Sequence, residues 1–120
     1  TLQDLSLVDA RKGLHMFRKV NVPLFGIIQN MSRFLCTECG ARHEIFGNGG
    51  AKAEAAKLGV PFLGEVPLEM AIRATSDEGM PIVASQPDSP QAEHYQTIAM
   101  TVLDTLERNA PKSGPKIVVD

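Results

Sequence analysis

Three observations predict an α/β fold, a parallel sheet with flanking helices. The short apolar run Val22 to Ile28 lacks the polar alternation of a half-exposed strand and suits one covered on both faces, and Phe62 to Val66 is a second strand candidate. Between them lies an alanine- and lysine-rich stretch, Gly50 to Leu58, that ends on Gly59, a helix followed by its usual stop. Strand, helix and strand in that order need a crossover connection, and a crossover makes the two strands parallel.

The chain opens on a predicted helix from Asp4 to Val20, where Leu7, Ala10, Leu14 and Phe17 recur at three- and four-residue steps. Val22 to Ile28 follows as the first strand, with Asn30 at its carboxyl end. Residues 32 to 49 carry both cysteines and the glycines Gly40, Gly47 and Gly49 with little periodicity, so they are expected to form an excursion from the core. After the Gly50–Leu58 helix, the second strand stops at Pro67, which cannot continue a central ladder, and Pro67-Leu68-Glu69 is expected as a loop. Met70 to Ala74 suits one helical turn, Asp77 to Pro81 a further turn, and Ile82-Val83-Ala84 is a short apolar segment. The last long helix is capped by Ser89, starts on Pro90, and carries Tyr95, Ile98, Ala99, Val102, Leu103 and Leu106 as one stripe. Asn109 to Pro115 is expected to be a loose tail, and Ile117-Val118-Val119 a terminal edge strand. Two assigned parallel strands are too few for an independently stable α/β sheet, so the chain has the character of part of a larger domain.

Composition narrows the function. With 120 residues, 43% hydrophobic content and a net charge of −2, the chain can bury one modest core and has no basic stripe for nucleic acid. No apolar run approaches the roughly 20 residues of a membrane span, and the start Thr1-Leu2-Gln3-Asp4 has no signal-peptide character. The expectation is a soluble intracellular protein with neither nucleic acid nor membrane as partner, cytoplasmic or, alternatively, of the mitochondrial matrix.

The only two cysteines stand at Cys36 and Cys39, closed by Gly40. Two thiolates two residues apart can turn toward one ion or cluster, yet a tetrahedral site wants four ligands. A second copy of the chain is the simplest completion, with Cys36 and Cys39 from each copy around a shared metal or iron–sulfur centre. Alternatively His43, four residues after Cys39, joins a zinc site within one chain. A third reading is a dithiol redox pair, but such pairs sit at the start of a helix, and Gly40 with the polar residues after it is a poor helix start.

Other motifs carry less. Gly47-Asn48-Gly49-Gly50-Ala51-Lys52 suggests a phosphate cradle, but no Gly-Lys pair occurs anywhere in the chain and Lys52 stands where a dinucleotide fingerprint needs its third glycine. A turn entering a helix is the better account. Asn30 falls where open α/β sheets bind ligands, and its amide can both donate to and accept from a purine edge, but from the residues alone an ordinary strand-end asparagine bonding its own loop is the favoured account. Glu65, Glu69, Asp77 and Glu78 show no acid–base spacing, and no Gly-x-Ser-x-Gly elbow is present.

Taken in order, Val22-Pro23-Leu24-Phe25-Gly26-Ile27-Ile28-Gln29-Asn30-Met31-Ser32, Cys36-Thr37-Glu38-Cys39, Ile45-Phe46-Gly47, Leu58 to Leu68 and Ile72-Arg73 resemble the Mrp/Nbp35 family. These are P-loop ATPases of the MinD-like branch that act as iron–sulfur cluster carriers. The resemblance runs from about residue 3 to residue 108 and corresponds to the carboxyl-terminal portion of the family's domain, so residues 1–110 are expected to form that portion and 111–120 a tail. It implies that Cys36 and Cys39 pair with their counterparts in a homodimer to hold a [4Fe–4S] cluster, handed on to apo iron–sulfur proteins. It implies too that Asn30 meets the adenine of ATP, with Pro67, Leu68 and Glu69 lining the base pocket and Mg2+ held in the full-length parent.

The family's Walker A loop lies in an amino-terminal portion that these 120 residues do not contain. With no such amides or lysine to stabilise a transferring phosphate, no ATP hydrolysis by this chain alone is expected, and no catalytic residue is assigned. The competing readings are a zinc-stapled interaction module and a Cys-x-x-Cys thiol oxidoreductase.

Overall fold

The computed structural model describes residues 3–109. In chain order the elements are α1 (Asp4–Lys19), β1 (Ile27–Leu35), β2 (Arg42–His43), α2 (Gly50–Leu58), β3 (Phe62–Leu68), α3 (Met70–Asp77), α4 (Ile82–Ser85) and α5 (Pro90–Asn109). The expected Ile117–Val119 strand and the 111–120 tail lie outside the described residues.

The sheet has the order β2-β1-β3. β1 and β3 pair in parallel, as the strand–helix–strand order requires, and β2 adds an antiparallel partner on the other side of β1. α2 packs against both parallel strands and α5 lies on β3. The core is built from Ala51 and Ala55 of α2, Val66 of β3, Ile82, and Ala92 and Ile98 of α5, with Leu14 of α1. Gly64 lets α5 come close, since a Cβ there would stand 2.9 Å from Ile98 Cγ1.

The helix ends follow their sequence signals. Gly59 is left-handed, its amide donates to Ala56 O at 3.2 Å and the Val60 amide to Ala55 O at 3.0 Å, which satisfies the last carbonyls of α2. Ser89 Oγ accepts the Ala92 amide at 3.1 Å, capping α5 as expected. The apolar stripe of α5 is buried at Ile98 but exposed at Leu103 and Leu106.

Several boundaries differ from the sequence expectation. The first ladder starts at Ile27, not Val22, because Pro23 has no amide to donate and restricts the residue before it. It continues to Leu35, so the excursion predicted for residues 32 to 49 loses Ser32–Leu35 to the sheet, and Arg42–His43 return to it as β2. Asn30 therefore lies inside β1 and not at its end. Pro67 and Leu68 belong to β3 and not to a loop, because β3 is an edge strand whose outer side needs no amide donor. Met70 begins a helix of eight residues where one turn was expected, and Ile82–Ser85 closes into α4.

Candidate functional site

The cysteines occupy the turn of the β1–β2 hairpin. Phe34 faces His43 and Leu35 faces Arg42 across the ladder, so the turn stands directly on paired backbone. Two hydrogen bonds close it, the Cys36 amide donating to Ala41 O and the Gly40 amide to Cys36 O, both at 2.9 Å. Gly40 takes φ +68, a left-handed conformation that glycine adopts at little cost, which explains the glycine directly after Cys39.

The amides of Cys39 and then Glu38 point at Cys36, and together with the Cys39 thiol they hold the Cys36 thiol below its ordinary range. Cys36 is half-buried and Cys39 exposed, and neither is in a disulfide. The pair is carried on a hairpin and not on a helix start, where redox pairs normally sit.

His43 does not join the cysteines. Its ring packs against Phe34, with centroids 6.3 Å apart and planes tilted by 34°. Among the described residues no group of three or more His, Cys, Asp or Glu side chains could hold a metal. The alternation of β2 turns this histidine toward its cross-strand aromatic neighbour, so the Cys-Cys-His site expected as an alternative is not assembled within one chain.

Asn30 is exposed, and its Oδ1 accepts the Met31 amide at 2.9 Å. The parallel register holds from Ile28↔Gly64 through Asn30↔Val66 and then shifts before Phe34↔Leu68. Met31, directly after Asn30, has φ +54.

Of the residues expected to line a base pocket, Pro67 is buried while Leu68 and Glu69 are half-buried. Pro67 and Glu69 line a cleft of about 320 Å³ together with Arg33, Arg42, Gln91 and His94. Neither Asn30 nor Leu68 lines it. The Gln91 side-chain amide donates to the Glu69 carboxylate, and Arg33 is ion-paired with Glu65. Sequence reasoning missed Arg33, Arg42 and Gln91. The arginines had a signal in their places beside the cysteine turn, whereas Gln91, on α5, had none.

No helix among the described residues is long and apolar enough to cross a membrane. The sequence is 45% identical over 124 aligned positions to an iron-sulfur cluster transfer protein NUBPL of Dictyostelium discoideum, an alignment that covers 99% of this chain and 38% of that protein. Among solved structures, a nucleotide-binding protein of Archaeoglobus fulgidus in complex with ADP superposes with a TM-score of 0.57 and 29% identity, covering 79% of this chain and 35% of that one. The cell division ATPase MinD of Pyrococcus furiosus superposes with a TM-score of 0.61 and 24% identity, over 82% of this chain and 38% of that one, which bears out the MinD-like fold. The chain thus spans little more than a third of the length of the proteins it matches. The profile described as ParA, NUBPL iron-transfer P-loop NTPase, matches residues 1–103, and by that match the chain belongs to this family.

Proposed function

We propose that this chain is the cysteine-bearing portion of an iron–sulfur cluster carrier, and that Cys36 and Cys39 of two copies together hold a [4Fe–4S] cluster as cargo for apo-proteins. One observation carries the reading: Cys36 and Cys39 stand on one short hairpin turn, neither in a disulfide, and among the described residues no third ligand joins them. Two soft donors per chain match half of a four-thiolate set, so a two-fold pair completes it. The similarity to a protein named for iron–sulfur cluster transfer supports the same assignment.

Nucleotide enters through the rest of the family's domain. Asn30 is exposed, with amide hydrogens free to reach a purine edge, and Pro67, Leu68 and Glu69 end the neighbouring strand β3. In the full-length protein these residues would frame the base of ATP, with Mg2+ on the phosphate side. Either reducing compartment, cytoplasm or mitochondrial matrix, suits open thiols.

Anaerobic reconstitution with iron and sulfide tests the proposal. It should give a brown protein with iron and sulfide in equal amounts and the mass of a pair of chains. Zinc uptake without colour, or iron retained after both Cys36→Ala and Cys39→Ala, would refute it. Phosphate release from ATP by the purified 120-residue chain would refute the division of labour.

A further inference from the structure

Between Asn30 and Phe34, strand β1 advances four residues while β3 advances two, from Val66 to Leu68. Two residues of β1 are therefore surplus in the ladder, a bulge. The segment bears two local penalties. Met31 is held at φ +54, a conformation that non-glycine residues other than Asn and Asp seldom adopt. Ser32 is only 2% exposed, and its Oγ has no hydrogen-bond partner. Two side-chain contacts lie on the irregularity: the Asn30 Oδ1 accepts the Met31 amide, and Arg33 is ion-paired with Glu65 of β3.

We propose that this bulge is a two-position register device, clasped by the Asn30 side chain, that sets how far the cysteine turn stands out from the sheet. The surplus is two residues, and strand side chains alternate with period two, so absorbing it keeps every side chain on its own face. In the second position Ser32 takes the place beside Leu68 that Phe34 now holds. Phe34 and the hairpin it carries then move outward by two residue rises, about 7 Å. Met31 returns to extended backbone and Ser32 gains a new neighbourhood, while the pairing of Phe34 with Leu68 is lost.

The clasp uses the oxygen that a purine amine would seek, so a base at Asn30 would bias the register and with it the reach of Cys36 and Cys39. That use rests on the nucleotide reading proposed above. The device itself does not.

Amide hydrogen exchange on the 120-residue chain, without nucleotide, iron or sulfide, isolates the device from cluster chemistry. Asn30→Ala removes the clasp and should speed exchange at Met31, Ser32 and Arg33 by about tenfold, relative to α2 and α5 as internal references. The NMR resonances of Cys36–Ala41 should shift with it. Asn30→Asp keeps an acceptor and should behave like the parent. Met31→Gly removes the left-handed penalty, so adding it to Asn30→Ala should bring the exchange back toward the parent. Exchange in Asn30→Ala that is unchanged, or faster by the same factor throughout the sheet and helices, would overturn the device, as would a double variant no slower than Asn30→Ala.

Discussion

Arg11 of α1 forks onto the Glu54 carboxylate of α2, 43 residues away in sequence, with its second contact, Nη2 to Oε2, at 2.8 Å. The Glu54 side chain is 9% exposed and that of Arg11 44%. The two partners are unequal, because Glu54 has little contact with water and leans on the pair, whereas Arg11 is still well solvated.

Removing Arg11 strands a buried carboxylate, whereas removing the charge of Glu54 leaves a guanidinium that water can satisfy. Arg11→Ala should therefore lower the melting temperature by several degrees, and by more than Glu54→Gln. Thermal unfolding followed by circular dichroism checks the order of the two. A larger loss for Glu54→Gln would contradict it.

The same pair sets an acid limit. The hydrogen bond from Arg11 holds the Glu54 carboxyl below its usual range against the opposing effect of burial. Its unfolded value is about 4.3, so the carboxylate's stabilisation is complete above that pH and disappears as the pH falls through the lower folded value. Glu54→Gln should flatten this part of the stability curve, measured by urea unfolding across acidic pH. A slope unchanged in the variant would assign acid sensitivity to other groups.

Cys36 should alkylate with a pH midpoint below the ordinary thiol value of about 8.5, because two amides stabilise its thiolate. Iodoacetamide labelling read by mass spectrometry gives the midpoint. Glu38→Pro deletes one of the donors and should move it upward. A midpoint at the ordinary value in the parent would remove the amide nest from the account.

Two glycines should differ in their tolerance of a methyl group. A Cβ on Gly26 would lie 2.5 Å from the Pro61 carbonyl oxygen, which accepts the Ile27 amide at 2.8 Å, so the first rung beside β3 must move. At Gly64 the steric obstacle is the Ile98 side chain, which can turn aside, while the positive φ, +147 at Gly64 and +157 at Gly26, strains a side chain at both positions. Gly26→Ala should cost about 1–3 kcal/mol and Gly64→Ala less, by equilibrium denaturation.

Much of the architecture was legible because its signals are local. Leu7, Ala10, Leu14 and Phe17 foretold α1, Gly59 the end of α2, and Ser89-Pro90 the start of α5. The Cys36–Cys39 spacing marked the candidate metal ligands but not the hairpin that bears them, which was expected only as an excursion from the core. What escaped was decided by neighbours. Pro67 stops a central strand but not an edge strand, and nothing within residues 62 to 68 tells which of these β3 will be. Asn30 seemed to end a strand because the apolar run ends there, yet pairing with β2 and β3 carries β1 on to Leu35. The cleft beside Glu69 joins four elements, β1, β2, β3 and α5, and Gln91 reaches it only through tertiary packing.

β2 is two residues long, and both are exposed. So short a rim offers too little unpaired backbone to template growth by strand addition, which protects this flank from runaway fibrous assembly. If two copies share a cluster at their hairpin tips as proposed, a chelator that strips it should return separate, still folded chains, making the pairing as reversible as the cargo.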